Sequence, residues 1–261
     1  MKLRYLLIPA LFALQGCSLP VTNNVDKYDN PLTQQIMGSM VLVQGGRFVM
    51  GNDQSTSEAE KPAHPVTIDS FYMSKFELTQ DIFTEVMGPS YTYFPGDNNP
   101  MNNVSWQQVQ FFIAELNKRT HLKFRLPTEA EWEFAAQGGN QSKGYKYSGS
   151  NNIDQVAWYA GNANNKLHPV GQKKPNELGL YDMTGNVGEL VSDAYDKDFY
   201  FISPSNNPNN NIDTDRNLAH KSLRGGGYSY DANESENYRR DFASQSTILV
   251  DIGLRLAIDT K

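Results

Sequence analysis

The sequence predicts one loop-rich domain that mixes short strands with short helices. Three observations carry that expectation. The chain has 261 residues, 39% of them hydrophobic and 20% charged, which suits a single sizeable core. It holds 20 glycines, 13 prolines and 25 asparagines, residues that favour turns. Glycine allows positive φ, proline fixes φ, and asparagine tolerates the left-handed region. The stretches that read as helices or strands are short, and a composition so rich in turn residues disfavours a helical bundle or a doubly wound sheet.

The elements follow in chain order. Met40-Val41-Leu42-Val43, Gly45-Gly46 and Arg47-Phe48-Val49-Met50 read as a hairpin. Val66-Thr67-Ile68 and Phe71-Tyr72-Met73 read as further strands. Thr79 is placed to cap a helix from Gln80 to Met87, with Gly88 stopping it. Ser105 and Gln108 form a capping-box pattern before a helix whose core face is Val109, Phe112, Ile113 and Leu116. Thr128 and Glu131 repeat the pattern before a helix reaching Ala136, ended by Gly138, in which Trp132 is a core anchor. Arg125, just before it, is expected to pair with Glu131 or Glu133. Residues 197–220 read as a long polar surface loop. Leu223-Arg224 leads as a strand into Gly225-Gly226-Gly227, and Ile252 to Ala257 reads as a closing strand.

The first residues read as an export signal. Lys2 and Arg4 precede an apolar run from Leu6 to Leu14, too short to span a bilayer, which needs about 20 residues. The run ends in Leu14-Gln15-Gly16-Cys17, which resembles a bacterial lipobox. Cys17 is the only cysteine, so no disulfide or zinc-finger site exists within the chain, and lipidation is its expected role. We therefore expect a signal peptide over residues 1–16, a tether over 17–38 and the domain over 39–261. Ser18 rather than aspartate after the cysteine resembles the pattern that directs lipoproteins to the outer membrane. The formal charge is −6 with no basic block, which argues against nucleic acid as a partner.

Six motifs occur in order: Glu77-Leu78-Thr79; Pro100 with Val104-Ser105-Trp106; Arg125-Leu126-Pro127-Thr128-Glu129-Ala130-Glu131-Trp132-Glu133; Gly179-Leu180-Tyr181-Asp182-Met183-Thr184-Gly185-Asn186-Val187; Arg224-Gly225-Gly226-Gly227; and Gly253-Leu254-Arg255. Together, over roughly residues 39–258, they resemble the formylglycine-generating enzyme (sulfatase-modifying factor) family. The resemblance implies an α+β domain, a variant of the C-type-lectin-like fold. It also implies one calcium site, with Asp182 and Glu189 as side-chain ligands and Gly185 and Val187 as carbonyl ligands. Ca²⁺ needs six to eight oxygens, which a glycine-containing loop between two carboxylates can begin to supply. Gly188 and Leu190 stand where the family usually has tryptophan.

The decisive departure lies after Arg224. Catalytic members of the family bind copper and O₂ at a cysteine pair there. Aligning Arg224-Gly225-Gly226 and Tyr238-Arg239 puts Tyr230 and Ser235 at those positions, and neither supplies a thiolate. No copper is therefore expected. The four histidines show no metal-site spacing, and no nucleophile elbow or phosphate loop is present.

Tyr228, Tyr230, Asp231, Asn233, Glu234, Ser235, Glu236, Tyr238 and Arg239 then form a candidate ligand groove. The expected function is an envelope lipoprotein that binds a protein, peptide or polysaccharide. A cysteine-independent oxidase, using Tyr230 with Glu234 or Glu236 as acid and base, and a purely structural envelope component are the alternatives.

Overall fold

The computed structural model describes residues 28–211 and 220–260. The signal segment, Cys17 and part of the 197–220 loop lie outside the described residues.

Helix α1 (Pro31–Gly38) opens the chain, with Pro31 at its first position and Asn30 Oδ1 accepting from the Leu32 amide at 2.9 Å. It buries Leu32 and Ile36 in the main core. The expected boundary at residue 39 is thus too late. Polar composition hid a capped helix that contributes two apolar anchors.

Strands β1 (Met40–Val43) and β2 (Gly46–Met50) do not form the expected hairpin. β1 pairs antiparallel with β4 (Phe71–Ser74), and β2 with β3 (His64–Ile68). The Gly45-Gly46 step carries the chain from one sheet to the other. A Cβ on Gly45 would stand 2.5 Å from the Ile68 carbonyl oxygen and 2.7 Å from the Ser70 nitrogen, so only glycine fits the crossing.

Helices α2 (Gln80–Met87) and α3 (Trp106–Thr120) pack together through stacked Phe83 and Phe112 rings, 5.1 Å between centroids. Gly88 ends α2 at φ 83°, but Thr79 makes no side-chain cap there; its hydroxyl donates to Asp81 instead. The capping boxes of α3 and α4 (Glu129–Ala136) are both formed, and the expected apolar face of α3 is buried.

Strand β5 (Gly188–Ala194) is the central element that the sequence pattern conceals. It pairs antiparallel with β6 (His220–Arg224) and parallel with β8 (Ile252–Leu254), while β7 (Asp241–Ser244) extends the sheet on the far side of β6. Glu189 and Asp193 interrupt its apolar run, yet both are buried. The single closing strand expected near the C-terminus is two: after β8 the chain steps across to join β4 as β9 (Ala257–Asp259).

Every residue of α4 is buried, its three glutamates included. Burying an unpaired carboxylate costs several kcal/mol, so each must have a partner. Glu131 pairs with Arg125 at 2.7 Å, and Arg125 also reaches Asp259. Glu133 does not take Arg125; it pairs with Arg224 and accepts from the Gly51 amide.

Candidate functional site

The site grows from the end of β6. Gly225 (φ 92°) and Gly226 (φ 70°) take the chain through positive φ. A Cβ on Gly226 would lie 2.3 Å from Ser235 Oγ. This close turn leaves a cavity of about 110 Å³ lined by Tyr230, Glu234, Arg239, Arg240, Asp241 and the glycines.

Only three of the nine expected groove residues line it. The Tyr230 hydroxyl donates to Asp241 Oδ2 at 3.1 Å. Burial, and then the charges of Asp241 and Asp251, push its pKa well above the usual tyrosine value, so the phenol keeps its proton. Glu234 accepts from the Asp231 amide at 3.0 Å, and Arg239 pairs with wholly buried Glu60 at 3.0 Å. Tyr228 is buried edge-on against Phe94, and Ser235 is buried with its hydroxyl donating to the Asp231 carbonyl. Glu236 pairs with Lys146 and accepts from the Tyr238 hydroxyl, while Tyr238 faces a separate depression beside Asn237. Asp231 and Asn233 remain exposed on the turn. The contiguous stretch 228–239 thus forms a folded wall with two sides. A sequence window cannot separate residues that face a cavity from those that support it.

Behind the cavity lies a charge network that sequence reasoning missed. Arg240 donates to both oxygens of Glu129, at 2.8 and 2.9 Å. Arg224 joins Glu129 at 3.2 Å and reaches Glu133. Burial pushes Glu129 upward, but Arg240 and Arg224 outweigh it and hold the carboxyl below the usual range. Arg240 also sits 4.3 Å from the Tyr200 ring centroid. The only signal in the sequence was the clustering of arginines and glutamates in otherwise apolar motifs.

A second buried charge group surrounds the loop before β5. Arg255 grips both oxygens of Glu189, at 2.6 and 2.7 Å, and Trp132 Nε1 donates to the same carboxylate at 2.6 Å. Glu77 accepts from the Val187 amide at 3.0 Å and the Asn186 side chain at 2.7 Å. Asp182, at φ 55°, accepts from the Gly171 amide through Oδ2, and its Oδ1 is buried without a partner. Among the described residues, three buried carboxylates therefore face one guanidinium. Burial, then the charges of Asp182 and Glu189, raise Glu77 well above the usual carboxylate range; burial raises Asp182 to about 6.

An orphaned carboxylate oxygen within an excess of negative charge fits a cation. Among the described residues no group of three or more His, Cys, Asp or Glu side chains is arranged as a metal site, so backbone carbonyls such as those of Gly185 and Val187 would have to complete the set. Glu189 could contribute only the lone pairs that Arg255 and Trp132 leave.

The α+β arrangement, the glycine turn and the buried motif charges define a known class. The chain belongs to the sulfatase-modifying factor enzyme 1-like domain family, which it matches over residues 28–260. It is 33% identical over 235 residues to the chaperone protein LppX of Paenibacillus barcinonensis, covering 71% of this chain and 78% of that one. It is 27% identical over 214 residues to the inactive C-alpha-formylglycine-generating enzyme 2 of Bos taurus, covering 60% and 71%. Among solved structures it resembles PvdO from Pseudomonas aeruginosa, with a TM-score of 0.73 and 26% identity over 84% of this chain and 94% of that one. Some curated relatives are longer, and the chain spans 31% of the length of one of them. The fold is thus the formylglycine-generating-enzyme variant of the C-type-lectin-like architecture.

Proposed function

We propose that the domain binds another protein of the bacterial envelope and does not oxidise thiols. The observation that carries this reading is the cavity beyond Arg224, whose wall presents the Tyr230 phenol, with the Ser235 hydroxyl buried behind it. Neither group is a soft copper ligand or a thiolate nucleophile. Two relatives, one named a chaperone and one an inactive enzyme, support the same reading. So does the chain's single cysteine, which the lipobox-like pattern assigns to an anchor, with Ser18 favouring the outer membrane. Among the described residues no helix is long and apolar enough to cross a membrane.

The site geometry selects the variant to test. Replacing Arg239 would strand buried Glu60, so binding and stability would change together. Tyr230→Ala with Asn233→Ala touches the cavity wall and the exposed turn without removing a buried charge. The double variant is expected to lose the partner that the wild-type chain retains after cross-linking in envelopes, while its unfolding remains cooperative. Retention of that partner at wild-type yield would remove this surface from the proposal. A polysaccharide ligand would instead show as loss of glycan retention with the cross-linked protein unchanged.

We also propose a calcium ion beside Asp182, supported by its orphaned Oδ1 and the excess of carboxylates. When bound, the ion would neutralise charge and fix the loop; the chain's residues provide the rest of the scaffold. A ligand that binds only the folded state stabilises it by about 2.7 kcal/mol at a hundredfold excess over Kd. Chelation is therefore expected to lower Tm by several degrees, with recovery on adding Ca²⁺. A Tm indifferent to both would end the calcium proposal and leave the buried carboxylates balanced by protons.

A further inference from the structure

We propose that the outer face of α3, together with the Gly88–Tyr93 turn, lies on the surface of the membrane that holds the anchor; this rests on the lipoprotein reading. Gln107, Phe111, Ala114 and Lys118 recur at helical spacing and are all exposed, so they form one outward stripe. Phe111 is 60% exposed at its centre, over a shallow apolar depression shared with Phe83, Met87 and Pro89. Tyr91 (75% exposed) stands at one end, held near the start of α3 by the Asn103 side chain donating to its carbonyl at 3.4 Å. At the other end Lys118, His121 and Lys123 are exposed.

Two observations select a membrane as the occupant. The first is where the chain arrives. The Asn30 side chain donates to the Arg119 carbonyl at 3.1 Å, so the segment from the anchor joins the domain at the basic end of α3. Ten residues separate Cys17 from Tyr28, which can span at most about 40 Å. The second is charge and residue type. Exposed Lys118, Arg119 and Lys123 outnumber Glu115, which pairs with Lys118 at 3.8 Å, so this end of a chain of net charge −6 complements anionic headgroups, and aromatic rings with polar edges favour the headgroup layer. Tyr91, Phe111 and Lys118 would then touch lipid, and the cavity residues would be presented by an oriented domain.

The test uses the full chain produced with its own leader, in vesicles containing phosphatidylglycerol. A spin label at Ala114→Cys is compared with one at Lys197→Cys, on an exposed loop outside this face. The label at 114 is expected to collide with a water-soluble nickel chelate about tenfold less than the label at 197, and more with oxygen dissolved in lipid. Adding Phe111→Ser and Lys118→Glu should erase that difference. Intact mass reports acylation of Cys17. An unacylated chain overturns the anchor reading and this proposal with it. An acylated chain whose label at 114 is as wet as that at 197 overturns this proposal alone. Protection that persists in detergent and grows with protein concentration assigns the face to a second copy and also overturns it.

Discussion

Arg224→Met is expected to cost about 3–5 kcal/mol of stability, read as a shift of the urea midpoint. The side chain is wholly buried, and two glutamates depend on it. Glu133 is already held above the usual carboxylate range by burial, with Arg224 the main opposing charge. Removing the guanidinium leaves Glu133 with only the Gly51 amide and the Gln137 side chain as donors. Glu129 keeps Arg240, so most of the loss falls on Glu133. The double variant Arg224→Met/Glu133→Leu should therefore be less destabilised than the sum of the single changes, because no carboxylate remains stranded. A cost below about 1 kcal/mol for Arg224→Met would show that the network adds little to the fold.

Arg255→Met is expected to do at least as much damage, about 3–5 kcal/mol or loss of the folded state at neutral pH. Among the described residues Arg255 is the single guanidinium beside Glu77, Asp182 and Glu189, and it also donates to the carbonyls of Ser74 and Tyr181. Its loss would break the tie between β5, the β4 end and the loop before Asp182 at once. Glu189 would retain only the Trp132 indole. Adding Glu189→Gln should recover part of the loss, since it removes one of the stranded charges. If the single variant unfolds too readily to be measured, the double variant still reports the coupling through its own urea midpoint. Independent, additive effects of the two changes would contradict the pairing.

These two networks explain which parts of the fold the sequence revealed. Capping boxes are local, so Ser105 with Gln108 and Thr128 with Glu131 marked the starts of α3 and α4 correctly. The apolar face of α3 was legible for the same reason. Strand pairing is not local. Nothing within residues 40–50 indicates that β1 and β2 go to different sheets; the reason is the space around Gly45, set by residues 68–70. β5 was hidden because its buried acids mimic a polar loop, and their partner Arg255 lies 66 positions away.

The candidate site was partly legible. The glycine turn after Arg224 was read from motif order. Which residues face the cavity was not, because the turn at 231–235 folds Ser235 inward while Tyr230 and Glu234 face the opening. Arg239, a candidate groove residue that lines the cavity, also neutralises Glu60 across 179 positions of chain. Arg240 and Asp241 were not anticipated. Their role depends on Glu129 and Tyr230, which meet them only in the folded chain.

The domain is proposed to hold a partner and not to oxidise thiols. The most direct test of that proposal is to load the full chain with copper, supply O₂ and a cysteine-containing peptide, and weigh the peptide. The mass of the cysteine peptide is expected to stay unchanged. A peptide that has lost its thiol and gained an aldehyde, in an amount that rises with the protein added, would contradict it.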